Sequence, residues 1–116
     1  MSRLVLLAVV LLAACDNVGG SDRPDFGDAY TVRSAALDGD TLRAVVRYSG
    51  GCEDHTFERR SQSDGQRAEL WFVHDANGDL CEALVTDTLV SEVGVLHGGA
   101  SPLVLLAPSG DEVPLR

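Results

Sequence analysis

The amino-acid sequence predicts an all-β domain, an antiparallel β-sandwich of the Ig-like or small-barrel type with about seven or eight short strands. From Ala29 onward, short apolar or alternating runs are separated by turn residues at intervals of about ten positions, a spacing typical of sandwiches and barrels. The turn sequences Asn77-Gly78 and Ser109-Gly110 each lie between two such runs. No part of this region has the apolar period of an amphipathic helix. The pattern therefore favours strands over helices.

The first two strands are predicted to form a hairpin. Ala29–Leu37 and Thr41–Ser49 flank Asp38-Gly39-Asp40. A three-residue loop makes one face consistently apolar, with the opposed pairs Tyr30 and Tyr48, Val32 and Val46, and Ala36 and Leu42. A two-residue loop would instead pair Tyr30 with Arg47 and mix the two faces. The three-residue register leaves three arginines on the solvated face, namely Arg33, Arg43 and Arg47.

A second hairpin is predicted around Asn77-Gly78, because this dipeptide is a strong short-range hairpin signal. A two-residue type I′ turn would join Arg67–Asp75 to Leu80–Thr86. The opposed pairs would then be His74 and Cys81, Phe72 and Ala83, and Leu70 and Val85. The remaining predicted strands are His55–Glu58, Thr88–Leu96, and a pair formed by Leu103–Ala107 and Glu112–Leu115.

An export signal precedes the predicted domain. Arg3 gives the N-terminus a positive charge, and Leu4–Ala14 is an unbroken apolar run of eleven residues, shorter than the roughly 20 residues of a membrane-spanning helix. This is the pattern of a secretory signal peptide. The run ends in Leu12-Ala13-Ala14-Cys15, which resembles a bacterial lipobox. The resemblance implies that residues 1–14 are a lipoprotein signal peptide, that cleavage occurs before Cys15, and that Cys15 carries palmitate-type acyl chains.

Lipidation of Cys15 would anchor the protein to a bacterial membrane, facing the periplasm or the exterior, since each buried methylene contributes about 0.8 kcal/mol. Asp16 resembles an inner-membrane retention signal of enteric bacteria, but the sequence does not decide between inner and outer membrane. Residues 15–28 are rich in Gly and Asp and also contain Ser and Pro, so they are predicted to be a flexible tether. Residues 29–116 then form the β-sandwich domain.

The charge balance bears on the partners. The formal net charge of the 116 residues is −9, and every basic residue is an arginine. A strongly acidic chain argues against nucleic acid or an anionic lipid surface as a binding partner. The 102 residues that follow Ala14 are enough for one domain but not for two. The membrane, through the lipid, and an envelope protein are the partners left by these observations.

Two cysteines remain once Cys15 is lipidated. In an exported protein, Cys52 and Cys81 are expected to form a structural disulfide, which would stabilise the fold by about 3.6 kcal/mol on the chain-entropy model. An alternative is a four-ligand metal site, because Cys52-x2-His55 and His74-x6-Cys81 offer two thiolates and two imidazoles. An intermediate hypothesis keeps the disulfide and lets His55 and His74 bind copper or zinc weakly.

Other motif interpretations fail on their spacing. Asp75-x-Asn77-x-Asp79 has oxygen ligands at the spacing of the first three ligands of an EF-hand calcium loop. However, Gly is at the fourth position and not the sixth, and Thr86 is at the position of the bidentate Glu. A local turn explains it better. The chain has no Gly-x-Ser-x-Gly elbow, no phosphate loop and no His-Glu-x-x-His. His97-Gly98-Gly99 is interpreted as a connection. No catalytic residue is predicted, and the chain is not expected to be an enzyme.

Two longer motifs carry a resemblance. Gly50-Gly51-Cys52-x-x-His55-x-Phe57 and His74-Asp75-Ala76-Asn77-Gly78-Asp79-x-Cys81-Glu82-Ala83 resemble the paired motifs of a family of small, uncharacterised bacterial lipoproteins. The resemblance covers residues 45 to 90. It implies an exported, cysteine-bridged domain and carries no activity with it.

The sequence therefore leads to three hypotheses of different classes. The first is a lipid-anchored binding or accessory module of the bacterial cell envelope. The second is a metal-handling envelope lipoprotein that holds copper or zinc through His55 and His74. The third is a small hydrolase, which the missing catalytic motifs disfavour.

Overall fold

A computed structural model describes residues 24–63, 66–94 and 102–115 of the chain. In these ranges there are seven strands: β1 (Thr31–Asp38), β2 (Thr41–Gly50), β3 (Thr56–Ser63), β4 (Ala68–Asp75), β5 (Ala83–Glu92), β6 (Leu103–Leu106) and β7 (Glu112–Leu115). One sheet has the order β1-β2-β5 and the other β3-β4-β6-β7. The predicted all-β sandwich is confirmed. The predicted signal peptide, Cys15 and His97-Gly98-Gly99 lie outside the described residues.

The core lies between the two central strands. Alternate residues of β2 and β4 point into it, because successive side chains of a strand face opposite sides. The buried side chains of β2 include Leu42 and Val46, and those of β4 include Leu70 and Phe72. Burial of an aliphatic or aromatic side chain of this size contributes about 1.5–3 kcal/mol.

Within the ranges that the structure describes, no helix has the length and apolarity needed to cross a membrane.

The β1–β2 hairpin combines two registers, of which only one was predicted. Near the turn, Leu37 pairs with Leu42 across the two-residue loop Gly39-Asp40, a pairing found in neither of the two registers compared from sequence, whereas Val32 pairs with Val46 in the predicted register. The register changes between Val32 and Ser34, so Arg33 is the extra residue of a β-bulge. The predicted pairing of Ala36 with Leu42 is therefore wrong. The bulge shifts the phase so that Val32, Ala35 and Leu37, and not the exposed Ala36, pack against the core.

The predicted hairpin at Asn77-Gly78 is wrong, although the turn itself forms. Asn77 and Gly78 have φ angles of 56° and 70°, the left-handed values of a type I′ turn, and the Asp79 N–H donates to the Ala76 carbonyl oxygen at 3.1 Å. The strands on either side of this turn belong to different sheets. The turn is a crossover between the layers of the sandwich.

The actual partners of these strands correct the predicted opposed pairs. His74 pairs with Phe57 in β3 and not with Cys81, and Val85 pairs with Tyr48 in β2 and not with Leu70. Phe72 pairs with Arg59 in β3, and Ala83 with Gly50 in β2. A turn dipeptide fixes local backbone angles, but the partner of a strand depends on side-chain packing along its whole length.

Three other differences concern strand boundaries and partners. The predicted strands Leu80–Thr86 and Thr88–Leu96 are not separate, because a single strand, β5, runs from Ala83 to Glu92; residues 95 and 96 lie outside the described residues. The strand predicted at His55–Glu58 continues to Ser63. The pairing of β6 with β7 is confirmed, with Leu103 opposite Leu115. The parallel pairing of β4 with β6 was not predicted.

The domain begins before the predicted boundary at Asp28. Gly27 forms a parallel bridge with His74. The His74 N–H donates to the Phe26 carbonyl oxygen at 2.9 Å, and the Asp28 N–H donates to the His74 carbonyl oxygen at 2.8 Å. Phe26 also packs against the core. The last residues of the predicted flexible tether are therefore part of the sandwich, because they satisfy the backbone of β4 beyond the end of β6.

Candidate functional site

The four cysteine and histidine residues singled out by sequence meet at one end of the sandwich. Cys52 follows β2, His55 precedes β3, His74 lies in β4, and Cys81 precedes β5. Cys52 and Cys81 form a disulfide with a Cα–Cα distance of 5.9 Å. The predicted disulfide is confirmed. The structure adds Asp79, from the crossover turn, to this group.

The two histidines and Asp79 are hydrogen bonded in series. The Asp79 Oδ2 atom lies 2.8 Å from His55 Nε2, and His55 Nδ1 lies 2.8 Å from His74 Nε2. His74 Nδ1 faces the carbonyl oxygens of Asp28 and Ala29 at 3.1 and 3.2 Å. A chain of polar contacts therefore runs from the crossover turn to the segment before β1.

The direction of the protons follows from these partners. Carbonyl oxygens only accept, so His74 Nδ1 carries a proton and donates. The contacts between the histidines and from His55 to Asp79 need one proton each, yet two neutral imidazoles carry only two protons in total. With the proton on His74 Nδ1, the fully bonded series requires one proton more than two neutral imidazoles supply.

Asp79 is held in its ionised form. Its Oδ2 atom also accepts the backbone N–H groups of Cys52 and Glu53, both at 3.0 Å, and its Oδ1 atom accepts the Cys81 N–H at 2.9 Å. The hydrogen bond from His55, followed by those backbone donors, lowers the pKa of Asp79 far below the usual range of a carboxyl group. The side chain has no exposed surface. Asp79 thus acts as a buried anionic anchor for both sides of the disulfide.

Aromatic rings close the cluster. Phe57 stacks on His74 with ring centroids 4.3 Å apart, and Tyr48 stacks on His55 at 4.4 Å. Tyr30 donates its hydroxyl to the Phe72 carbonyl oxygen at 2.6 Å, and burial raises the pKa of Tyr30 to about 12. The His55 side chain is 2% exposed and residue His74 is 2% exposed. The cluster is sealed from solvent.

A glycine makes room for His55. A Cβ atom at Gly50 would lie 2.6 Å from His55 Nε2 and 2.9 Å from a carboxylate oxygen of Asp79. Any larger residue would push into the hydrogen bond between these two groups. The Gly50-Gly51 dipeptide is therefore part of the cluster and not merely a strand break.

The geometry limits the chemistry of this cluster. His74 lies behind His55, in series with it, so the histidines do not converge on one point as tetrahedral ligands would. The Sγ atoms of Cys52 and Cys81 and a carboxylate oxygen of Asp79 lie within 4.8 Å of one another, but both sulfurs are committed to the disulfide. The contacts present make the cluster a clamp between the crossover turn, β3, β4 and the segment before β1.

A second candidate site is the outer face of the β1-β2-β5 sheet, meaning the face directed away from the core. Leu84 and Val90 are 69% and 57% exposed. They lie on this face because they pair with Ser49 and Arg43, which alternate with the buried residues of β2. Among the strands described, β5 pairs only with β2, so its other edge has no strand partner. From sequence, the β1–β2 part of this face was predicted only to be solvated.

A cleft opens on this outer face near the start of β1. Its cavity volume is about 370 Å³, and its lining includes Thr31, Arg33, Arg47, Ser49 and Leu84. Arg33 is the bulge residue of β1, and Thr31 pairs with Arg47 of β2. The cleft therefore combines two guanidinium groups with one exposed apolar side chain.

Comparisons with known proteins bear on the fold. No protein-family model and no curated protein matches the chain. The structure is similar to that of a NigD-like immunity protein from Bacteroides caccae, with a TM-score of 0.60 and 16% sequence identity. The match covers 86% of this chain and 54% of that protein, so the chain spans about half the length of its neighbour. This likeness shows a shared fold.

Proposed function

We propose that the protein is a lipid-anchored binding or accessory module of the bacterial cell envelope, and that it contacts its partner through β5 and the outer face of the β1-β2-β5 sheet. The observation that carries this proposal is the exposure of Leu84 and Val90 on a strand whose second edge pairs with none of the strands that the structure describes. The groups best suited to acid–base chemistry, His55 and Asp79, are buried in the clamp. A binding role therefore fits the accessible surface better than a catalytic one.

The composition of β5 supports strand addition by a partner. Proteins usually protect exposed strand edges with lysine, proline or bulges. β5 is ten residues long and contains none of these along its ladder with β2; its charged residues are Asp87 and Glu92. A free edge of this kind offers backbone donors and acceptors to an extended segment of another chain.

Two further observations are compatible with a binding module. The neighbour of known structure is by name an immunity protein, and a binding or accessory role would agree with that name. The lipobox-like sequence ending in Cys15 would hold the domain at a membrane surface, where it could meet an envelope partner. The anchor and the exposed face then serve one purpose, which is to keep a binding surface in the envelope.

Site-specific photo-cross-linking tests this proposal. A photoreactive amino acid at Val90 should give one discrete cross-linked product in cells of the source bacterium. The matched control position is Glu58, which is exposed on the outer face of the other sheet, and should give none. Equal products from both positions, or none from Val90, would contradict the proposed face. An intact disulfide in both variants shows that they have folded.

Metal handling through His55 and His74 is the alternative function. It requires copper or zinc to displace a hydrogen bond, since the nitrogens of both rings already have partners. Calorimetric titration of the oxidised protein with each metal tests it. Binding that survives replacement of both histidines by alanine would exclude these two residues as the ligands.

A further inference from the structure

We infer that the cleft beside Arg33 and Arg47 recognises a carboxylate of an acidic peptide segment, while an apolar side chain of the same segment rests on Leu84. The inference rests on the proposed function, because it assigns a chemistry to the partner of the same sheet face. It adds what the exposed apolar residues do not reveal, namely the charge that the partner carries.

The first support is the state of the arginines. In the described residues, Arg60 pairs with Glu58 at 3.2 Å, Arg67 pairs with Glu69 and Glu112, and Arg59 donates to the Glu92 carbonyl oxygen. The arginines of the outer face differ. Within the same part of the chain, no ion pair involves Arg33, Arg43 or Arg47.

The lack of ion pairs at these three arginines is informative because acidic residues are plentiful in the chain. The chain has 18 acidic residues and nine arginines, so most guanidinium groups could find a carboxylate if the fold placed one nearby. Arg47 instead donates from Nε to the Thr86 hydroxyl at 3.2 Å. No hydrogen bond or ion pair among the described residues involves its terminal nitrogens or the guanidinium of Arg33, so these groups can take an external anion. Net negative charge elsewhere does not prevent this, since the potential inside a cleft follows the charges that line it.

The second support is the bulge. Val32 pairs with Val46 and Ser34 with Val45, so Arg33 has no opposed residue. Bulges redirect a side chain and are common beside functional sites. Here the extra residue, Arg33, lies on β1 beside the β2 residue Arg47, and the two arginines line the same cleft. Two guanidinium groups at one cleft suit a carboxylate, which accepts paired N–H donors.

The remaining lining selects the size and type of the ligand. Thr31 and Ser49 supply hydroxyl groups, and Leu84 supplies an apolar wall. A volume of about 370 Å³ is near the lower end for small-molecule clefts, so it accommodates one or two side chains. Ser49 pairs directly with Leu84 of the edge strand β5. A peptide segment that crosses the outer face from β5 toward β1 would therefore pass over Leu84 and the cleft, which favours a peptide carboxylate over a free small anion.

The test uses the full-length chain in detergent and a labelled peptide, acetyl-Thr-Asp-Leu-Asp-Thr-amide, followed by fluorescence anisotropy at low salt. Its uncharged twin has Asn in place of both Asp residues. The double variant Arg33→Gln/Arg47→Gln should bind the acidic peptide at least about tenfold more weakly, as expected for loss of charge-assisted hydrogen bonds. The uncharged twin should bind the native chain more weakly by a similar factor.

Arg43→Gln is the matched control. Arg43 is exposed on the same strand and the same sheet face as Arg47, but it does not line the cleft. It should change the affinity less than twofold. An equal loss in Arg43→Gln, or equal affinity for the two peptides, would overturn the inference. So would displacement of the peptide by millimolar phosphate as effectively as by unlabelled peptide. These results leave the cross-link at Val90 untouched, so failure of the carboxylate site is distinguishable from failure of the proposed function.

Discussion

At the scale of single residues, the carboxylate of Asp79 joins segments that are far apart in sequence. It accepts hydrogen bonds from the backbone of Cys52, Glu53 and Cys81 and contacts the imidazole of His55. A buried carboxylate is stable only when donors replace the water that it loses. Here those donors come from both sides of the disulfide, so the ionised form of one side chain organises the clamp.

Replacement of Asp79 by Asn should lower the melting temperature by at least about 5 °C. An amide has one acceptor oxygen and no charge, so it cannot satisfy the same donors. Thermal denaturation followed by circular dichroism measures the change. Asp38→Asn, at an exposed position at the end of β1, is the control and should melt within about 2 °C of the native protein. Equal melting of the two variants would show that Asp79 is not an anchor.

Asp79 should also make the fold sensitive to acid. Its pKa is lowered in the folded protein, whereas an unfolded Asp titrates near pH ~3.9. A depressed folded pKa gives stability that is fully present above the unfolded value and is lost as the pH falls toward the folded value. Urea midpoints measured from pH 7 to pH 2.5 should therefore fall more steeply below about pH 4 for the native chain than for Asp79→Asn. Parallel curves would contradict this assignment.

At the scale of elements, the segment before β1 is tied to β4 by a close backbone approach. Gly27 has a φ angle of 74°, and a Cβ atom there would overlap the carbonyl group of His74. Gly39, in the β1–β2 turn, has a similar φ of 66° but no heavy atom within 4 Å of the corresponding position. A side chain at Gly39 would therefore cause backbone strain alone, whereas a side chain at Gly27 would cause backbone strain and steric overlap.

Gly39→Ala should cost about 1–2 kcal/mol, the penalty of a left-handed conformation for a residue with a Cβ. Gly27→Ala should cost about 1–3 kcal/mol more, because overlap with β4 adds to the same penalty. Urea denaturation gives both free energies of unfolding. If the two variants were equally stable, the segment Phe26–Asp28 would not be docked on β4 as described.

The elements that sequence predicts well are those whose signal is local. The alternation of Leu42, Ala44 and Val46 identified the inward face of β2. For β4 the sequence did not decide which face is inward, because Leu70 and Phe72 alternate with the apolar residues Trp71 and Val73. Strand pairing was predicted poorly at Asn77-Gly78, because the dipeptide determines two φ angles but not which sheet the next strand joins. The bulge at Arg33 was missed for a related reason, since each half of the hairpin satisfied a different register.

The candidate site was partly predictable on the same grounds. Cys52 and Cys81 were paired because an exported chain leaves no other partner for them. Asp79 was treated as a turn residue, and its contact with His55 depends on the crossover that the sequence does not announce. An acidic residue two positions before a bridged cysteine is the signal that could have pointed to it. The cleft at Arg33 and Arg47 required the sheet to be assembled first.

At the scale of the whole molecule, the disulfide cross-links two strands of one sheet. Cys52 follows β2 and Cys81 precedes β5, with a sequence separation of 29 residues. Replacing both cysteines by Ala should lower the free energy of unfolding by about 3–4 kcal/mol. Urea denaturation measures this, and the native chain reduced by dithiothreitol should match the double variant. A loss below about 1 kcal/mol would mean that the hydrogen-bonded clamp holds this end of the fold without the bond.

The position of the disulfide should also affect the folding rate of the chain. Gly50 opposite Ala83 is the last pair of the β2–β5 ladder, and each cysteine lies two residues beyond it. Strand pairs distant in sequence form slowly, because the chain must first close a long loop. With the disulfide formed, pairing of β2 with β5 can start at Gly50 and Ala83 and extend along both strands, as pairing in a hairpin extends from its turn. Stopped-flow refolding of the oxidised chain should therefore be at least about tenfold faster than that of the reduced chain, and equal rates would show that the ladder starts elsewhere.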